Sequence, residues 1–175
     1  GATVTAKDLR LDGFNGIGTA GTPITVNTAG NLAAQLTNGA ASGVIAIAEV
    51  AASAGLTVGS ANGLSGVVST NNRAVTLTAD SGNIVLNQQV NSGSGQVQLT
   101  TTSSGNVAVN ANVSGGLVNI NAAGAIADSA QITGTTLTTS SAGGTVLDFG
   151  HAVTGFNATN ITGGNIQLVN TAPAL

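Results

Sequence analysis

Cysteine, methionine, tryptophan and tyrosine are all missing from this 175-residue chain, and lysine and arginine together number only 3. Each shortage excludes something. Without cysteine there are no disulfides and no thiolate metal sites. Three cations cannot build the positive footprint that nucleic acid demands, and docking on an anionic membrane surface fails for the same reason. Charged residues amount to 5%, against about a quarter in ordinary globular domains. No apolar run approaches the roughly 20 residues of a spanning helix, so direct membrane insertion is not expected. Aromatic residues are 2%, too few for a strong sugar-binding platform. Disordered chains combine low hydrophobicity with high charge, whereas hydrophobic residues here reach 42%. The surface is therefore left to Thr, Ser, Asn, Gln and Gly.

What is present is a short phrase repeated: Gly, one polar residue, then apolar–x–apolar–polar. It reads Gly82-Asn83-Ile84-Val85-Leu86-Asn87, Gly95-Gln96-Val97-Gln98-Leu99-Thr100 and Gly105-Asn106-Val107-Ala108-Val109-Asn110, with a variant at Gly116-Leu117-Val118-Asn119-Ile120-Asn121. The apolar pairs Val75/Leu77, Ile84/Leu86, Val97/Leu99, Val107/Val109 and Val118/Ile120 alternate with a period of two, which turns each pair to one face of a strand. Every second pair recurs after about 22 residues, as from Val75 to Val97 and from Val97 to Val118. Coils of that length, stacked about 4.8 Å apart, would join these ten residues into aliphatic columns. The expectation is an all-β, right-handed parallel β-helix, a β-solenoid of about eight coils of roughly 22 residues. Further strands are expected around Ile24–Val26, Leu56–Val58, Val67–Ser69, Thr136–Thr138, Thr145–Leu147 and Asn165–Leu168. Val44 to Ala54 is alanine-rich, but Gly43 and Gly55 bracket it at strand length and Ile45/Ile47 alternate, so it too reads as strand. No linker divides residues 1–175, which read as one domain.

Residues with potential chemistry are few. His151 is the only histidine and Asp148 precedes it by three, with no nucleophile in view, which reads as a surface feature. Asp80, Asp128 and Asp148 sit at strand ends or beside Ser and Gly, where Asp bonds nearby backbone. The calcium-binding Gly-Gly-x-Gly-x-Asp repeat is absent, and Gly13-Phe14-Asn15-Gly16-Ile17-Gly18 misses the dinucleotide pattern. No catalytic residue, cofactor or metal site is therefore expected, and the chain is not expected to be an enzyme. Lys7, Asp8, Arg10 and Asp12 form the only charge cluster, on the solvent face around Leu9 and Leu11. They guard an edge strand or form a candidate end or partner contact. Phe14, Phe149 and Phe156 are expected to fill wide corners or cover an end. Asn87, Asn110 and Asn121 are expected to stack in an amide ladder. The outward residues Thr76, Val85, Gln98, Ala108 and Asn119 are too varied for a uniform water-ordering array.

Several segments resemble the passenger regions of filamentous-haemagglutinin-like bacterial surface adhesins, exported by two-partner secretion or as autotransporters. They are Ile17-Gly18-Thr19-Ala20-Gly21-Thr22-Pro23-Ile24, Gly55-Leu56-Thr57-Val58-Gly59, Gly124-Ala125-Ile126-Ala127-Asp128, Phe156-Asn157-Ala158-Thr159-Asn160 and Gly164-Asn165-Ile166-Gln167-Leu168-Val169-Asn170-Thr171-Ala172. The resemblance implies a secreted, non-catalytic stalk on a bacterial cell surface, with a host or neighbouring-cell receptor engaged by loops or elsewhere in the parent. The opening Gly1-Ala2-Thr3-Val4 reads as an excised or processed start, and Asn170 to Leu175 would run on into Gly1. One unit of a longer array is the expectation, with neighbouring units or identical subunits meeting end to end. A self-assembling extracellular filament is the first alternative. A carbohydrate-active β-helix module is the second.

Overall fold

A computed structural model describes residues 2–38, 43–50, 55–70 and 72–172, and among these every regular element is a β-strand. Alternation in short stretches, broken by Gly and Asn turns, gives strands too short to stand alone. Apart from one short hairpin, they pair in parallel with the strand one coil before, one coil after, or both. The longest face stacks Thr3–Ala6, Ile24–Thr28, Ile45–Glu49, Val75–Ala79, Gln96–Thr101 and Leu117–Ala122. It continues through residues 136–141 of the strand Ile132–Ser141 and 155–160 of the strand Thr145–Asn160. Eight layers joined by seven crossings make a β-solenoid of about seven turns, in agreement with the expected fold class.

The second face carries Leu9–Gly13, Asn31–Leu36, Leu56–Val58, Ile84–Leu86, Val107–Val109, Ile126–Asp128, the start of Thr145–Asn160, and Ile166–Asn170. A third face opens at the third layer, because Asn31–Leu36 divides its pairing between Leu56–Val58 and Val67–Ser69. It continues through Val90–Asn91, Val113–Ser114, the start of Ile132–Ser141 and the middle of Thr145–Asn160. The coil is two-sided at its start and three-sided afterwards.

The ten core residues named from the sequence are all buried, and their registers are those the spacing implied: Val75 faces Val97, Ile84 faces Val107, and Val97 faces Val118. One inward column runs Ile24, Ile47, Leu77, Leu99, Ile120, Thr139 and Ala158. Another runs Leu56, Ile84, Val107, Ile126, Thr145 and Ile166. At Thr139 and Thr145, then, hydroxyls replace aliphatic groups, while Leu137, Leu147 and Val153 keep the rest of these layers apolar. Buried Ser141 Oγ and Thr145 Oγ1 lie 3.1 Å apart, and Thr145 Oγ1 is 3.4 Å from Thr139 Oγ1. Glu49, at an inward position, uses Oε2 to accept bonds from the Thr28 N–H and hydroxyl, both at 2.9 Å.

The Val44–Ala54 segment is a strand at Ile45–Glu49; residues 51–54 lie outside those described, as do Gly1 and 173–175, so the expected run of the chain end into Gly1 does too. On the long face the step from Ile45 to its partner Val75 is the longest, and it holds an antiparallel hairpin, Ser60–Ala61 with Leu64–Ser65. Asn62 and Gly63 at its tip have φ of 48° and 79°, the paired positive angles of a type I′ turn. The hairpin packs back on Asn31–Leu36. As a result Ala33, an outward residue by parity, is fully buried.

Candidate functional site

Corners hold most of the side-chain chemistry. At several of them an Asn or Asp oxygen accepts from the backbone or side chain of the next layer. Asp8 Oδ1 accepts from Asn31 N at 2.8 Å, Asn83 Oδ1 from Asn106 N at 2.8 Å, and Asn106 Oδ1 from Ala125 N at 2.7 Å. Asp80 Oδ1 takes the hydroxyls of Thr102 and Ser103. The Asn87–Asn110 ladder exists, with Asn110 Nδ2 donating to Asn87 Oδ1 at 3.2 Å, and Ser129 continues it. Asn121 belongs elsewhere: it lies in register between Thr100 and Ser140 on the long face. The Asn83–Asn106 ladder went unnoticed in the sequence, although both residues occupy the same place in the repeated phrase.

The outward residues that look mixed in the sequence separate onto two surfaces. On the long face Thr76, Gln98, Asn119, Thr138 and Asn157 form one registered row, and Thr78, Thr100, Asn121, Ser140 and Thr159 form another. All are neutral and carry a hydroxyl or an amide. On the second face the corresponding row is Thr57, Val85, Ala108, Ala127 and Val146, almost wholly aliphatic. Among the described residues no cavity opens, and no three His, Asp or Glu side chains converge to hold a metal.

Lys7, Asp8, Arg10 and Asp12 are exposed, as expected, and three of them tie layers together. Arg10 Nε meets Asp12 Oδ2 at 2.6 Å, while Arg10 Nη1 reaches across two layers to donate to Asn62 O at 2.8 Å. The Arg10 guanidinium, with help from Gln35, holds the Asp12 carboxyl below its usual range. Phe156 packs against the core. Phe14 and Phe149 correct the expectation that all three phenylalanines fill corners or cover an end, because they project from corners at 67% and 52% exposure.

His151 is the larger correction. It is fully buried, and its partner is Asp128 rather than Asp148. Thr133 pairs with Ala152, so His151, one residue earlier, follows Val67, Val90, Val113 and Ile132 in their inward column and is itself paired with Asn170. Asp128 takes the place after Val58, Leu86 and Val109 in the neighbouring column. Its Oδ1 accepts from Asp148 N at 2.9 Å and its Oδ2 from Phe149 N at 3.2 Å. His151 Nδ1 accepts from the Ile132 N–H at 2.9 Å, which places the proton of the neutral ring on Nε2. Nε2 lies 3.2 Å from Asp128 Oδ2, near the carboxylate but without a well-formed hydrogen bond to it. Burial pushes the His151 pKa below its ordinary value, and the carboxylates of Asp128 and Asp148 pull against that shift. The alternation Ile126-Ala127-Asp128 and His151-Ala152-Val153 was the available signal: period-two parity turns both polar residues inward.

Comparison of the chain with protein-family models, with curated proteins and with solved structures finds no match.

Proposed function

We propose that this chain is a stiff stalk segment of a secreted bacterial surface protein, non-catalytic, with recognition carried by corners or by other parts of its parent. The observation behind the reading is the continuous register of one outward row, Thr3, Thr25, Ala48, Thr78, Thr100, Asn121, Ser140 and Thr159, through all eight layers. Hydrogen bonds between layers run along the stacking axis, so bending loads many of them together. Position on a bacterial surface is supported by the motif resemblance described above.

A distance measurement tests the stalk. Because the chain has no cysteine, spin labels at Thr3→Cys and Thr159→Cys report one defined separation. Seven interstrand steps predict about 34 Å with a narrow distribution. A broad distribution would sink the stalk reading. The filament alternative draws on the last layer, where Ile161, Ile166 and Val169 are exposed. Electron microscopy across a concentration series separates the two: fibres growing with concentration favour the filament, short rods at every concentration the stalk.

A further inference from the structure

We infer that His151 is an acid-operated latch: a proton added to Nδ1 drives the ring from beneath Ile132 and releases residues 145–153 and 166–171 from a stack whose earlier layers stay closed. In the neutral form Nδ1 is an acceptor, and the Ile132 N–H fills it at 2.9 Å. Once Nδ1 carries a proton, two donors face each other across that distance, and the cation sits in a fully buried site. Both faults disappear if the ring swings out to water.

What the ring holds makes its exit consequential. His151 O accepts from the Thr171 N–H at 2.7 Å and from the Thr171 hydroxyl at 2.8 Å. Two residues on, Val153 is clasped by the Asn170 side chain, which donates to its carbonyl at 2.9 Å and accepts from its N–H at 3.0 Å. His151 and Val153 together therefore anchor the last strand, Ile166–Asn170. The interior of these last layers mixes the hydroxyls of Thr139, Ser141 and Thr145 with the buried Leu137, Leu147 and Val153, so less apolar burial opposes opening than in the more aliphatic layers before them. The groups facing the ring can be stated completely for the described residues. Strand Ile126–Asp128 supplies Asp128, and the corner after Leu147 supplies Asp148. Strands Ile132–Ser141 and Ile166–Asn170 supply no charge, and no lysine or arginine follows Arg73. The two carboxylates attract the proton, but they cannot restore the lost bond to Ile132.

The test is hydrogen exchange of the full chain from pH 8 to 5, corrected for intrinsic rates. It is read beside the ring resonances of the single histidine. Expected is a histidine midpoint below 6.5, with protection over 145–171 falling up to about tenfold per pH unit between 6.5 and that midpoint. Protection over 75–122 stays constant. His151→Asn, whose amide oxygen can still accept from Ile132 N–H but cannot titrate, should hold protection level across the range. A midpoint at or above 6.5, flat protection in the wild-type chain, or an unchanged pH response in His151→Asn each overturns the latch. Should that variant fail to fold, the coincidence of histidine titration and lost protection in the wild-type chain decides alone.

Discussion

Leu99 stands in the middle of the stack, fully buried, with Leu77 in register on one side and Ile120 on the other. Replacing it with alanine removes three carbon groups from the interior, worth about 2.4 kcal/mol in transfer free energy at about 0.8 kcal/mol each. Collapse into the vacated space is restricted, because ladder hydrogen bonds hold the backbone from both neighbouring layers. A cavity contribution therefore adds to the transfer loss, bringing the expected cost to about 3 kcal/mol, inside the roughly 2–5 kcal/mol seen for such truncations. Because each layer contacts only its neighbours, the loss falls on both interfaces of the strand Gln96–Thr101. The matched control is Leu117→Ala, eighteen residues on and pointing outward at 38% exposure, with an expected cost below about 1 kcal/mol. Urea unfolding followed by circular dichroism should show Leu99→Ala with a lowered midpoint at unchanged m-value. Its Tm should fall by about 6–12 °C. If Leu99→Ala cost less than about 1 kcal/mol, or no more than Leu117→Ala, the inward assignment of this column would be wrong.

Other substitutions probe other parts of the fold. Gly105 has φ of +110°, and a Cβ there would run into the Gly82 carbonyl oxygen of the layer below. Gly105→Ala should therefore cost more than about 2 kcal/mol by the same urea assay. Thr101→Val removes the acceptor of Ala123 N–H and the donor to Gly105 O, both at 2.9 Å, for an expected loss of about 1–3 kcal/mol. Ala33→Leu, beneath the hairpin, should cost about 1–3 kcal/mol by overpacking, whereas Ala108→Leu on the uncovered part of the same face should stay within about 0.5 kcal/mol. The folded-state pKa of His151 lies below its unfolded value, so between that lower value and about 6.5 the unfolded chain binds more protons. Stability measured by thermal melting should therefore fall as pH drops through this window, by at most about 1.4 kcal/mol per pH unit, and His151→Asn should flatten the profile.

Architecture was legible because its two determinants are local. Parity within a strand decides which side chains point in, and a constant step between like phrases decides which strands meet. Val75, Val97 and Val118 carry both signals at once. The hairpin was harder to see, since Ser60–Ala61 and Leu64–Ser65 are two residues each and show no alternation; only Asn62-Gly63 marks the turn. His151 was misread because its spacing to Asp148 drew notice in place of its phase with Val153. The partner that matters, Asp128, is a coil away, and nothing in a single strand reveals which residue of the previous coil will lie beneath it. Phe14 and Phe149 escaped for a related reason. Both sit at corners, where the backbone bends and strict alternation no longer tells inside from outside.

Layer-to-layer offsets between strands here range from 19 residues between Thr135 and Thr154 to 26 between Asn31 and Thr57, and the steps that hold the hairpin are longer still. The strands keep their columns through all of this because the surplus is absorbed entirely at corners. For heredity and for engineering the two kinds of position differ sharply. A residue gained or lost inside a strand inverts inside and outside for the remainder of that strand. The same change at a corner leaves neighbouring layers undisturbed. The hairpin from Ser60 to Ser65 is a six-residue excursion carried at a corner on these terms, which makes corners the places where new recognition loops can be installed without refolding the scaffold.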